Sequence, residues 1–207
     1  MLTMNNKKLT GVLAVLTAAM LAVQLLLFLV SWLVAAMMPE TAVHSLLSNE
    51  GIRWFFGSFV ENVASPLLVW LLVIAMAWGV MADTRFFQDM SRLSSLPYRP
   101  KFAFQFVAFE LALFVVVLVM TALVPHAPLL SVTGQLFPSS FSKSLVPIIA
   151  FCLIVMGVTY GLLSGKMKSL SDVFLSVSGG VRRVAPLVFV YVVAVELFYS
   201  FMFVFGS

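Results

Sequence analysis

Two carboxylates stand where carboxylates are rare. Glu110 lies nine residues past Lys101 and Glu196 thirteen past Arg183, each inside an otherwise uncharged apolar run. At the 1.5 Å rise of a helix these offsets are about 13 Å and about 20 Å along the axis. In a hydrocarbon layer roughly 30 Å thick, Glu196 falls near the middle. Ionisable groups at such depth are costly, face protein or a water-filled path, and mark ion or substrate routes by default. Desolvation without a nearby cation favours the protonated carboxyl, the form that could couple to a proton gradient. The plainer alternative is a protonated carboxyl hydrogen-bonded across a helix interface, for roughly 0.6–2 kcal/mol.

A second pair, Glu61 and Asn62, sits in "LLSNEGIRWFFGSFVENVASPLLVW", residues 46–70. This stretch is too polar to cross a membrane and too apolar for a loop. Ser48 or Asn49 is a candidate N-cap, with Glu50 placed in the first turn where the helix dipole favours it. Ile52, Phe55, Phe56, Phe59, Val60 and Val63 then form an apolar stripe. Two readings follow: an amphipathic helix lying on the membrane surface, or a re-entrant hairpin with "ENVASP" at its tip. Non-helical backbone at membrane depth is tolerated only where protein or water covers it. Capping and surface solvation account for Glu61 and Asn62 as well as a functional role does. Arg53 suits a partner for Glu50 or for lipid headgroups better than a substrate clamp.

The elements that position these groups follow from composition. Of the 207 residues, 62% are hydrophobic and 10% charged, and mean hydropathy is +1.12. Soluble domains carry about 45–50% apolar and about 25% charged residues. The fold class expected is an all-α integral membrane protein in one membrane domain. Spans are expected at about 11–38, 65–82, 102–124, 144–164 and 184–206, with an external helical or re-entrant segment at 48–64. The first apolar run follows Lys7 and Lys8 but exceeds the roughly 7–15 residues of a signal peptide's apolar region, so an uncleaved anchor is expected.

Basic residues alternate between the connections. Lys7, Lys8, Arg85, Arg92, Arg99, Lys101, Lys166, Lys168, Arg182 and Arg183 would share one side, and Arg53 and Lys143 the other. The positive-inside rule then places the N-terminus in the cytoplasm and the C-terminus outside, with loops 83–101 and 165–183 cytoplasmic. This distribution, rather than nucleic-acid binding, accounts for a pI near 9.5. In the first of those loops Phe86, Phe87, Met90 and Leu93 have the spacing of a short interfacial helix. In the second, Ser169 or Ser171 could cap a short helix that Gly179 and Gly180 end.

Other chemistry finds no support. The single cysteine, Cys152, lies in an apolar run. His44 and His126 lack companions at ligand spacing, so no metal site is expected. "GLLSGK" lacks the spacing and context of a phosphate loop, and no nucleophile–base constellation exists. Neither enzyme activity nor a cofactor is expected.

Two blocks carry a family resemblance. "LLSNEGIRWFFGSFVENVASPLLVWLLVIAMAWGVMADT" resembles the AbgT family of p-aminobenzoyl-glutamate transporters at Gly51, Ile52, Arg53, Trp54, Asn62, Pro66, Leu67 and Gly79. "VPHAPLLSVTGQLFPSSFSKSLVPIIAFCLIVMGVTYGLLSGKMKSLSDVFLSVSGGVRRVAPLVFVYVVAVELF" resembles it again. Its matching residues are Thr133, Gly134, Pro147, Gly157, Tyr160, Gly161, Gly165, Lys168, Ser169, Asp172 and Val173.

Family transporters are longer, with more spans, a second hairpin, a dimeric assembly and an aspartate-bearing "SDAGY"-type segment between such blocks. That segment and second hairpin have no counterpart here, so the resemblance is to a half-length relative. None of the family's functional residues in those parts can be placed on this chain. Glu196 stands where the resemblance suggests a glutamine.

The resemblance implies a multi-pass protein of the bacterial inner membrane. Its expected role is ion-coupled movement of a small organic anion such as p-aminobenzoyl-glutamate, with a cation or proton as coupling ion. A homo-oligomer or a partner membrane subunit would complete the solute path. The competing expectation is a non-transporting accessory or degenerate membrane protein.

Overall fold

The computed structural model describes residues 2–38, 40, 42–122 and 140–206. His126, Thr133 and Gly134 lie outside the described residues. The elements are α1 (Leu2–Met37), α2 (Asn49–Gly57), α3 (Phe59–Val63), α4 (Pro66–Asp83), α5 (Phe86–Met90), α6 (Tyr98–Ala122), α7 (Ser140–Leu163) and α8 (Leu170–Phe205), with a 3₁₀ turn at Leu93–Ser95. No strand occurs among the described residues. Among the described residues, five helices are long and apolar enough to cross a membrane: Lys8–Met37 of α1, α4, Tyr98–Thr121 of α6, Ser144–Leu163 of α7, and α8. The all-α membrane class is the observed one.

The chain divides into two compact units, with boundaries inside α4 and α8. Unit 1 is Met1–Val69 with Ala185–Ser207, and unit 2 is Trp70–Val184.

In unit 1, the Ser48 side chain caps α2 by accepting from the Gly51 amide at 3.0 Å. Gly51 itself is a packing position, since a Cβ there would lie 2.3 Å from the Ser45 carbonyl oxygen. The segment breaks at Ser58 into two short helices and turns through Ala64 and Ser65 into α4. Proline suits that helix start, because the first-turn N–H it lacks has no intrahelical acceptor. Trp54 stacks on Phe203 of α8 with ring centroids 4.4 Å apart, and Phe55 meets Phe28 of α1 edge-on at 5.2 Å. Such aromatic pairs are worth about 0.5–1.5 kcal/mol beyond their buried area. The sequence-expected stripe is only partly turned inward: Phe56 and Val60 are among the most exposed residues of the segment.

Unit 2 has an aromatic and sulfur-rich core, in which Phe86 of α5, Phe104 of α6 and Tyr160 of α7 pack ring to ring. A short helix near residue 86 is present as α5. It anchors through buried Phe86 while Phe87, Met90 and Leu93 remain exposed. Helix α7 ends in a Schellman motif: Lys166 N–H bonds the Gly161 carbonyl at 2.9 Å and Gly165 N–H the Leu162 carbonyl at 3.1 Å. Gly165 takes the required positive φ of 79°.

One expectation is corrected. Gly179 and Gly180 do not end a helix, and α8 runs unbroken from Leu170 to Phe205. Gly180 instead permits close helix packing. A Cβ on it would lie 1.9 Å from the Ala75 carbonyl oxygen, and one on Gly79 would lie 2.6 Å from that of Ser176. Small residues let membrane helices approach this closely. The start of α8 follows expectation: Asp172 accepts from the Lys168 and Ser169 amides while Ser169 Oγ accepts from the Asp172 amide. This is a capping box with aspartate at its third position.

Candidate functional site

Helix α8 places Glu196 inside unit 1, 7% exposed. Asn62, at the end of the α2–α3 segment and 8% exposed, donates from Nδ2 to Glu196 Oε2 at 3.4 Å, the long end of hydrogen bonding. The other carboxyl oxygen, Oε1, is buried without a partner. The turn that presents Asn62 is held by Tyr191 of α8. Its hydroxyl donates to the Val63 carbonyl at 3.1 Å and shares a 2.5 Å hydrogen bond with Ser65 Oγ. Two of the four sequence candidates, 134 residues apart, therefore meet.

The other two do not join them. Glu61 is exposed, and its side chain forms no hydrogen bond or ion pair among the described residues. Glu110 belongs to unit 2, where Oε1 accepts from Thr159 Oγ1 at 3.2 Å and Oε2 is buried without a partner. Arg53 and Glu50 are exposed, and no ion pair joins them.

Sequence reasoning passed over the polar seam of α1. Thr17, Gln24 and Ser31 recur every seventh residue in an apolar helix, and all three are buried. The spacing was the available signal, because residues seven apart share a helix face. Thr17 Oγ1 donates to the Leu13 carbonyl, and Ser31 Oγ donates to that of Phe28 while accepting from the Leu46 amide. Gln24 Nε2 reaches Ser200 Oγ of α8 at 2.8 Å, but Gln24 Oε1 is buried without a partner. A buried polar atom left unpaired costs about 1–3 kcal/mol.

Unit 2 holds a second polar cluster beside the Schellman turn. Lys166 Nζ donates to Asp89 and to the Thr84 carbonyl at the end of α4. The ammonium also sits 5.0 Å from the centre of the Tyr160 ring. Tyr160 donates its hydroxyl to the same Asp89 oxygen at 2.5 Å. Burial alone would raise the Asp89 carboxyl. Hydrogen bonds from Lys166 and Tyr160, with the charges of Lys166 and Arg85, outweigh it and hold the group below its ordinary 3.8. This cluster clamps α5 to the ends of α4 and α7. Among the described residues, no group of three or more potential metal ligands occurs.

The chain matches the family model described as the AbgT putative transporter family over residues 88–204, more than half its length. Glu110 and Glu196 fall within the matched range, and Glu61 and Asn62 lie before it. No curated protein and no solved structure matches.

Proposed function

This chain belongs to the AbgT transporter family, and from that premise we propose that Glu196 and Asn62 handle the coupling ion in ion-driven movement of a small organic anion. The protein is a multi-pass membrane protein of transporter type. The substrate class proposed is p-aminobenzoyl-glutamate or a similar acidic solute, carried across a bacterial inner membrane with the N-terminus cytoplasmic. The observation that carries this reading is the buried Glu196 carboxyl in an apolar helix, held on one oxygen by a neutral amide and free on the other. A purely structural carboxyl would be expected to have both oxygens engaged. A second membrane chain, identical or different, would supply the remaining wall of the solute path.

The test is uptake of radiolabelled p-aminobenzoyl-glutamate into proteoliposomes under imposed proton or sodium gradients. Gradient-dependent uptake is expected, with Glu196→Gln losing the dependence on the gradient. No uptake in any gradient by protein of verified fold would favour the accessory reading.

A further inference from the structure

We propose that Glu196, Gln24 and Ser200 form a binding site for one small monovalent metal cation inside unit 1. It deepens the reading above, on which it rests, by adding two residues to the site and naming the class of ion.

The geometry converges on Ser200. Glu196 and Ser200 are four residues apart on α8 and so share a face, with Cβ atoms about 5–6 Å from one another. Gln24 of α1 is tied to Ser200 Oγ at 2.8 Å. The Gln24 side chain that bonds Ser200 and the Glu196 side chain one turn before it on α8 each carry a buried oxygen that lacks a donor, Oε1 in both cases. Glu196 is 7% and Gln24 9% exposed. The other polar residues of the α1 seam, Thr17 and Ser31, are satisfied by hydrogen bonds. The deficit is local, and it is one of donors.

A proton on Glu196 would turn its carboxyl into a donor that the Gln24 carbonyl could accept, the alternative that the sodium experiment below separates from a cation. A cation engages both oxygens, together with a remaining lone pair of Ser200. Carboxylate, amide carbonyl and hydroxyl oxygens are the ligands that hard cations take. Charge fixes the valence. From Leu9 to Met37 the first helix has no charged residue, and from Val184 to Phe205 the last has only Glu196. One carboxylate with a monovalent cation is neutral, whereas a divalent ion would leave a buried positive charge uncompensated.

The experiment uses the full chain in detergent with no organic solute present. Thermal unfolding is followed while sodium chloride replaces choline chloride at constant ionic strength. A saturable rise of the midpoint with sodium is expected, because a ligand at a hundred times its Kd multiplies the folded-to-unfolded ratio about a hundredfold. Glu196→Gln should abolish the response, and Gln24→Leu and Ser200→Ala should each shift half-saturation upward at least about tenfold. Gln24→Leu places an apolar residue in an apolar helix, so it reports even if the Glu196 variant does not fold.

Equal midpoints in choline and sodium would overturn the site and indicate that the Gln24 amide and Glu196 carboxyl satisfy each other. A full sodium response in Gln24→Leu and Ser200→Ala would also overturn it. Proton-driven uptake without a sodium response would remove this site but keep the transport reading. A sodium response without uptake would do the reverse.

Discussion

The two units hold their acidic groups differently. In unit 2 the aspartates sit at or near helix ends and meet opposite charges or capping amides: Asp89 with Lys166, Asp83 with Arg183 at 2.5 Å, Asp172 with two backbone N–H groups. In unit 1 no ion pair occurs among the described residues, and the buried carboxyl sits deep in α8 with a neutral amide for company. Unit 2 does contain unpartnered oxygens, at Glu110 and Ser176. Glu110 lies on α6 and Ser176 on α8, whereas Gln24 is hydrogen-bonded to Ser200, four residues from Glu196 on the same helix. Satisfied charge at a helix end fixes a turn. Unsatisfied polarity within an apolar helix costs stability, and that cost is what a site for a moving ion would carry.

The largest effect should come from the close helix contact of unit 2. Gly180→Leu puts a side chain where even a Cβ would lie 1.9 Å from the Ala75 carbonyl oxygen, and backbone cannot yield as a flexible side chain does. Overpacking costs typically about 1–3 kcal/mol and more where backbone must move, so most folded protein should be lost. Fluorescence-detected gel filtration from detergent extracts measures this. A monodisperse, wild-type yield would mean that α4 and α8 do not rely on the contact.

The charged clamp comes next. Asp89→Asn removes the ion pair with Lys166 and weakens the hydrogen bond from Tyr160, for about 1.5–3 kcal/mol. The sign of its pH dependence follows from the lowered carboxyl. The folded state binds this proton less readily than the unfolded one. The stabilisation is therefore complete above the ordinary value of 3.8 and disappears as pH falls from there through the folded value. The gap in thermal midpoint between wild type and Asp89→Asn should hold at neutral pH and narrow below about pH 4. A gap that does not change with pH would show that the carboxylate charge is not what clamps α5.

Legibility in the sequence followed the range of the interaction. Long charge-free runs marked the five apolar helices, and short-range rules narrowed the caps to Ser48 or Asn49 and to Ser169 or Ser171, because each depends on residues a few positions away. Gly179 and Gly180 were misleading for the same reason. A glycine that ends a helix and one that admits a neighbouring helix look alike until the neighbour's position is known. The stripe of α2 and α3 misled through its solvent. Where lipid replaces water, an exposed Phe56 or Val60 is no anomaly, and the buried members of α2 and α3 are Gly51 and Asn62. Asn62 and Glu196 each stood out alone, but nothing local joins residues so far apart. Gln24 was overlooked as one amide in an apolar run, although its place in the seven-residue series with Thr17 and Ser31 was there to be read.

The smallest effect sharpens the comparison most. Tyr191 and Tyr160 are both helix tyrosines whose hydroxyls tie their helix to a neighbouring element, one in each unit. Tyr160 donates to a carboxylate and Tyr191 to the neutral Val63 carbonyl. A hydrogen bond to a charged acceptor is worth about 1.5–3 kcal/mol and a neutral one about 0.5–1.5 kcal/mol. Tyr191→Phe should therefore lower thermal stability by about 1 kcal/mol, less than Tyr160→Phe. Its larger consequence should be loosened positioning of Asn62, read as weaker gradient-driven uptake in the same preparation. If Tyr191→Phe destabilises more than Tyr160→Phe, the turn before α4 is a structural keystone. The contrast between a clamped unit 2 and a functionally strained unit 1 would then have to be reversed.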